Sequence, residues 1–170
     1  ESLVKKGYTK SIGVSNFNVQ SLIDMFTYCE IKPAVNQFEA HPYFSRSGLV
    51  SFCNKFGIVV NAYGSLVKGL YTSQHKTEKE YDLLNEQIVK DLAKKYNKSE
   101  GQIAINWGIS KGFVVIPKSA NPKRMKDNLE ATNFKMSDED LLELGKLECG
   151  KRFCDDIDRW EEFGLVDVFA

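Results

Sequence analysis

Apolar positions along this chain follow two rhythms. Short runs rich in Val and Ile, at residues 11–14, 34–38, 58–62 and 113–116, read as buried strands. Between them, apolar residues recur every three or four positions. Asn18 is placed to cap a helix carried by Val19, Leu22, Ile23 and Phe26. Ser47 is placed to cap another, carried by Leu49, Phe52, Cys53 and Phe56, and Gly57 stops it. A polar connection over residues 64–79 leads to two further helices. One is predicted over 81–96, and one runs from the capping box Ser99-Glu100-Gly101-Gln102 to near Gly112. Asn121 and Pro122 are a good cap and first helical residue for the next, and Ser137 opens a last one. Residues 1–7 read as the closing turns of a helix that Gly7 terminates, and so as the continuation of something before them, with a short N-terminal helix as the plainer alternative. Residues 149–170 set Phe153, Trp160, Phe163 and Phe169 among charges and read as a packed tail.

Strand alternating with helix means parallel strands joined by crossover helices. Two architectures compete: an open doubly wound sheet, or part of a (β/α)8 barrel. No Gly-x-Gly-x-x-Gly follows a strand, which weakens the dinucleotide-binding open sheet. Four strand–helix units are present, about half of what a closed barrel requires.

Composition narrows the partners. The 170 residues are 42% hydrophobic, which fits one globular domain. Basic and acidic side chains balance at 23 each, so neither a nucleic-acid surface nor a membrane-binding face is expected. No apolar run approaches the ~18 residues of a membrane-spanning helix, and residues 1–10 are too polar for a secretory signal. Cys29, Cys53, Cys149 and Cys154 lack metal-ligand spacing; Cys29 and Cys53 read as small buried hydrophobes. A reduced, cytoplasmic protein without a metal is the expectation.

Candidate chemistry concentrates after the last strand. Lys118 and Ser119 follow Pro117, and Arg124 falls in the first turn of the helix opened by Asn121 and Pro122. A strand end, a free helix N-terminus, a lysine and an arginine together suit a phosphate. A solvated basic turn is the plainer alternative. His41, in Ala-His-Pro-Tyr, reads as structural rather than catalytic, and His75 as solvated. Asp155, Asp156 and Asp158 read as a charged arm.

Further segments leave the other strands: Gly13-Val-Ser-Asn-Phe17, Asn36-Gln-Phe-Glu-Ala-His-Pro-Tyr43 and Asn61-Ala-Tyr-Gly-Ser-Leu66. With Ile116-Pro-Lys-Ser119, Arg124 and Asn128, this set resembles the aldo-keto reductases, from Glu1 to about Arg152. The resemblance implies an α/β fold, the second half of a (β/α)8 TIM barrel: strands five to eight, their helices and two extra helices, as a single partial domain. It implies an NADP(H)-dependent oxidoreductase acting on a small-molecule carbonyl: an aldehyde, a ketone or an open-chain sugar. Ser15, Asn16 and Gln37 match the nicotinamide carboxamide contacts, and Tyr63 matches the aromatic that stacks on the ring. Gly64, Ser65 and Leu66 match positions facing the pyrophosphate. Lys118, Ser119 and Arg124 match the 2′-phosphate cradle, and Asp127 and Asn128 the adenine contacts. Two departures stand out: Tyr63-Gly-Ser-Leu-Val67 replaces the frequent Tyr-Ser-Pro-Leu-Gly, and Asp127 replaces a glutamate. The family's acid-base tyrosine, lysine, aspartate and histidine lie in the first half of its barrel, so no catalytic residue is assigned here. A non-catalytic NADP(H)-binding or regulatory module is the other expectation. A half-barrel is expected to need its missing half or a second copy of itself.

Overall fold

The computed structural model describes residues 1–67 and 81–154. Four strands, β1 (Gly13–Ser15), β2 (Val35–Glu39), β3 (Val59–Tyr63) and β4 (Val114–Val115), form one sheet in the order 1-2-3-4, each pair parallel. Helix α1 (Ser2–Lys5) precedes the sheet, α2 (Val19–Phe26) joins β1 to β2, and α3 (Ser47–Lys55) joins β2 to β3. A 3-10 turn (Leu83–Asn85), α4 (Gln87–Tyr96) and α5 (Glu100–Ser110) precede β4. Helices α6 (Pro122–Glu130) and α7 (Asp138–Gly145) follow it.

The two faces of the sheet differ. Asn36, Phe38, Val60 and Ala62 are buried on one side, in a core shared with Leu22, Leu49, Cys53, Val89, Ile103 and Trp107. Each fully buried Leu- or Phe-sized side chain there stabilises the fold by about 1.5–3 kcal/mol. Register places Gly13, Val35 and Val59 in one row of the other face, and Ser15, Gln37, Asn61 and Val114 in the next. That face is open: Val59 is 45% exposed and Val114 49%. Parallel sheets are ordinarily covered on both faces.

Helix α5 is the inner pillar. Gln102 to Gly108 are all buried, and a Cβ on Gly108 would lie 3.0 Å from the Val115 side chain, so a glycine there lets helix and strand approach closely. Asn106 is buried with them. Its amide donates to the carbonyls of Ala131 and Phe134, each at 2.8 Å, and pins the α6–α7 connection to the core.

Several elements depart from the sequence reading. Ser47 does not cap α3. Arg46 holds the N-cap position at φ 51°, its side chain accepts nothing, and its guanidinium lies 5.6 Å over Phe38 and 5.0 Å over Phe44. Tertiary packing of the arginine outweighs the local cap. The helix expected over 81–96 is broken at Glu86, whose ψ of 137° is extended and whose carboxylate accepts the Tyr43 hydroxyl at 2.5 Å. Cys53 is buried as expected, but Cys29 is only half-buried. The capping residues Asn18, Ser99, Asn121 and Ser137 all accept the predicted backbone N–H.

Asp140 ties α7 to α4. Lys95 donates to both of its oxygens, at 2.8 and 2.7 Å, and the Tyr96 hydroxyl donates to one of them. The Lys95 ammonium, followed by the Tyr96 hydroxyl, holds the Asp140 carboxyl below the ordinary carboxylate range. Its contribution is therefore complete above the unfolded Asp pKa, near ~4, and fades as pH falls through the lower folded value. Asp140→Asn is expected to cost about 1–2 kcal/mol in urea unfolding at neutral pH. It is also expected to flatten the acid arm of the stability profile; an unchanged profile would exclude the network as a stabilising element.

Candidate functional site

The loops that leave the C-terminal ends of the strands carry the candidate residues. Ser15 Oγ donates to the Gln37 carbonyl at 3.0 Å, and Asn16 N donates to the same oxygen at 2.8 Å. Asn16 sits at φ 59°, a left-handed conformation a non-glycine residue adopts only when its surroundings impose it. Its Oδ1 accepts the Tyr63 hydroxyl at 3.0 Å. Ser15, Asn16, Tyr63 and the Gln37 main chain thus form one polar patch at the rim of the open face. Burial raises the Tyr63 phenol above its ordinary pKa, with the nearby Cys154 and Glu39 acting in the same direction.

A tight turn leads away from β3. Gly64 has φ 69°, and Val67 N donates back to the Gly64 carbonyl at 2.8 Å. Val67 also lies at positive φ, 58°, a costly conformation for a β-branched residue. Ser65 is buried and its hydroxyl donates to the Ala62 carbonyl, so that side chain braces the turn. Lys68 and His75 lie outside the described residues.

Beyond this turn lies a cavity of about 1020 Å³. Leu66, Lys118, Ser119, Arg124, Asp127 and Asn128 all line it. Lys118 and Arg124, six positions apart in sequence, therefore face one space. The Asn121 side chain accepts from Arg124 N, and the Ser119 hydroxyl accepts from Asn121 N at 3.1 Å, fixing the turn that opens α6. A wall the sequence reading missed completes the cavity: Leu84 and Asn85 from the 3-10 turn, and Ser99, Glu100 and Gly101 from the start of α5. The capping box had marked Ser99 as a helix start. Only packing of α5 on α6, with Gln102 donating to the Asp127 carbonyl at 3.1 Å, aims that start at the same space as α6. Two helix N-termini and three cationic side chains, Lys118, Lys123 and Arg124, meet there against the carboxylates of Glu100 and Asp127. Such a lining suits a polyanion with an apolar or aromatic part.

Residues 1–148 match the Aldo/keto reductase family. The chain belongs to the aldo/keto reductase family. It is 43% identical over 154 residues to aldose reductase B of Dictyostelium discoideum, covering 91% of this chain and 46% of that protein. It is 40% identical over 157 residues to a probable NAD(P)H-dependent D-xylose reductase of Emericella nidulans, covering 91% and 49%. The chain thus spans about half the length of the curated relatives it matches. A solved aldo-keto reductase complexed with NADPH superposes with a TM-score of 0.85 at 31% identity, covering 95% of this chain and 49% of that one. An aldo-keto reductase from a deep-sea metagenome library superposes at 0.80 with 34% identity, covering 92% and 54%.

In this aldo/keto reductase chain His41 is fully buried and its Nε2 is hydrogen-bonded to Glu39 at 2.8 Å, which accords with a structural histidine. Asp155, Asp156, Asp158 and Trp160 lie outside the described residues. Among the described residues no group of three or more His, Cys, Asp and Glu is arranged to hold a metal, and no helix is long and apolar enough to cross a membrane. The raised phenol gives a direct check on the polar patch. Difference absorbance titration of the unmutated chain against Tyr63→Phe is expected to isolate one tyrosine ionising above the usual pH ~10. Ionisation at or below that value would mean the hydroxyl is not enclosed.

Proposed function

We propose that this chain is the cofactor-holding half of an NADP(H)-dependent aldo-keto reductase: strands five to eight of a (β/α)8 barrel, with its helices and two extra ones. The observation that carries the proposal is the convergence of Lys118, Ser119, Arg124, Asp127 and Asn128, with the starts of α5 and α6, on one cavity. The length of the matched relatives and the open second face of the sheet support the half-barrel.

The residues fit a phosphorylated dinucleotide. Lys118, Ser119 and Arg124 would hold the 2′-phosphate, the two cations meeting its charge, and Asp127 and Asn128 would hold the adenine. Gly64, Ser65 and Leu66 would hold the pyrophosphate through main-chain groups, since the Ser65 hydroxyl is already engaged by the Ala62 carbonyl. Ser15, Asn16 and Gln37 offer the hydroxyl and amide groups a carboxamide needs, as it both donates and accepts. Tyr63 offers a flat ring for stacking, oriented by its bond to Asn16. When bound, NADPH supplies hydride to a carbonyl carbon. This chain's part is to hold and orient the cofactor; the acid that protonates the developing alkoxide comes from outside residues 1–170. Aldehydes, ketones and open-chain sugars are the proposed substrates, in keeping with relatives named aldose and xylose reductases.

Two outcomes follow. Arg124→Ala is expected to weaken NADP⁺ binding about 10- to 100-fold, the loss of one hydrogen-bonded charge pair, while leaving NAD⁺ nearly unaffected. Equal affinity of the unmutated chain for the two cofactors in fluorescence titration would end the 2′-phosphate assignment. The open face also predicts that the chain alone self-associates and reduces no carbonyl, and that it gains NADPH oxidation on mixing with the other half of a family barrel. A monodisperse monomer with cooperative unfolding in analytical ultracentrifugation and urea melts would contradict the half-barrel.

A further inference from the structure

One buried carboxylate has no part in the cofactor reading. Glu39, the last residue of β2, is 1% exposed. Its Oε1 accepts from His41 Nε2 at 2.8 Å and from the backbone N–H of Phe153 at 2.8 Å; its Oε2 accepts from the backbone N–H of Cys154 at 2.9 Å. A buried carboxylate is costly unless donors replace its water, and buried backbone N–H groups are costly unless something accepts them. Each side therefore meets the other's requirement across 114 residues of chain. Nδ1 of His41 is buried and unbonded. A ring proton on Nε2 leaves there an empty acceptor instead of an unmet donor, so the histidine serves as a fixed donor to Glu39.

The contact extends along both segments. Ser45 N donates to the Glu148 carboxylate at 2.5 Å, and Cys149 N donates to the Tyr43 carbonyl at 3.2 Å. Phe153, buried, packs its ring 5.2 Å from His41, 5.9 Å from Tyr43 and 5.7 Å from Tyr81.

We infer that Glu39 is a positioning residue. It latches residues 148–154 onto the β2–α3 loop through the backbone N–H groups of Phe153 and Cys154, and so positions the Phe153 ring against His41, Tyr43 and Tyr81. The latch grips main chain, not side chains, so it tolerates a change of side chain at Cys154. It requires neither NADP(H) nor turnover, so it stands or falls apart from the proposed function.

Hydrogen exchange of the full chain, read by mass spectrometry with fragmentation to single amides, tests it. The amides of Phe153 and Cys154 are expected to be protected in the unmutated chain and in Cys154→Ser. Glu39→Gln keeps the shape but offers one acceptor oxygen and turns an NH2 toward N–H donors. It is expected to speed exchange at those two amides by about 10- to 100-fold, while the β3 and α5 amides stay unchanged. Alkylation of Cys154 should quicken in the same variant, with half-buried Cys29, outside the latched segment, as the internal standard. Unchanged exchange in Glu39→Gln would overturn the latch and leave Phe153 packing as the anchor. If that variant does not fold, Glu39→Asp, which shortens the reach of the carboxylate, decides: faster exchange confined to the Phe153 and Cys154 amides supports the latch, and unchanged exchange overturns it.

Discussion

Parallel pairing of β1 to β4 is the constraint on which the molecule depends. Strands that all run one way, joined by helices, deliver every strand's C-terminal end to one rim of the sheet. Backbone donors of the helix starts are left at that rim, and polar side chains gather to meet them. Asn18, Asn121 and Ser99 do so as caps; Asn16 and Tyr63 do so by bonding to each other. The cavity at α5 and α6 follows from the same geometry, since both helices begin near the end of β4.

The asymmetry of the sheet explains where side chains are buried. The helix-covered face is closed by Phe38, Val60, Ala62 and the indole of Trp107. The other face carries Ser15, Gln37, Val59, Asn61 and Val114 toward an open side. Asn61 keeps a buried Oδ1 without a partner, a polar group whose need the described residues do not meet. Glu39 lies on this same face, and the returning C-terminal segment buries it. Enclosure on the open side is thus local, built at the rim by the tail.

Local signals in the sequence carried much of this. Four apolar runs marked four strands to within a residue or two, because strands with one buried face favour β-branched and aromatic side chains. Capping residues marked four helix starts, because a side-chain oxygen and an N–H three residues on are neighbours whatever surrounds them. The signals failed where distant groups intervened. Arg46 took the cap position from Ser47 because two phenylalanine rings held its guanidinium, and Glu86 broke a helix pattern that continued through it because its carboxylate holds Tyr43.

The sequence by itself determined the strand–helix alternation, the caps, the basic turn at Lys118 to Arg124 and the family. All of these rest on residues close together in the chain or on motifs in a fixed order. Tertiary structure alone decided that the start of α5 faces that turn and that Asn16 reaches Tyr63. It alone decided that Glu39 takes its hydrogen bonds from Phe153 and Cys154. Those contacts join groups tens of residues apart, and no periodicity or local propensity encodes which distant donor a buried acceptor will find.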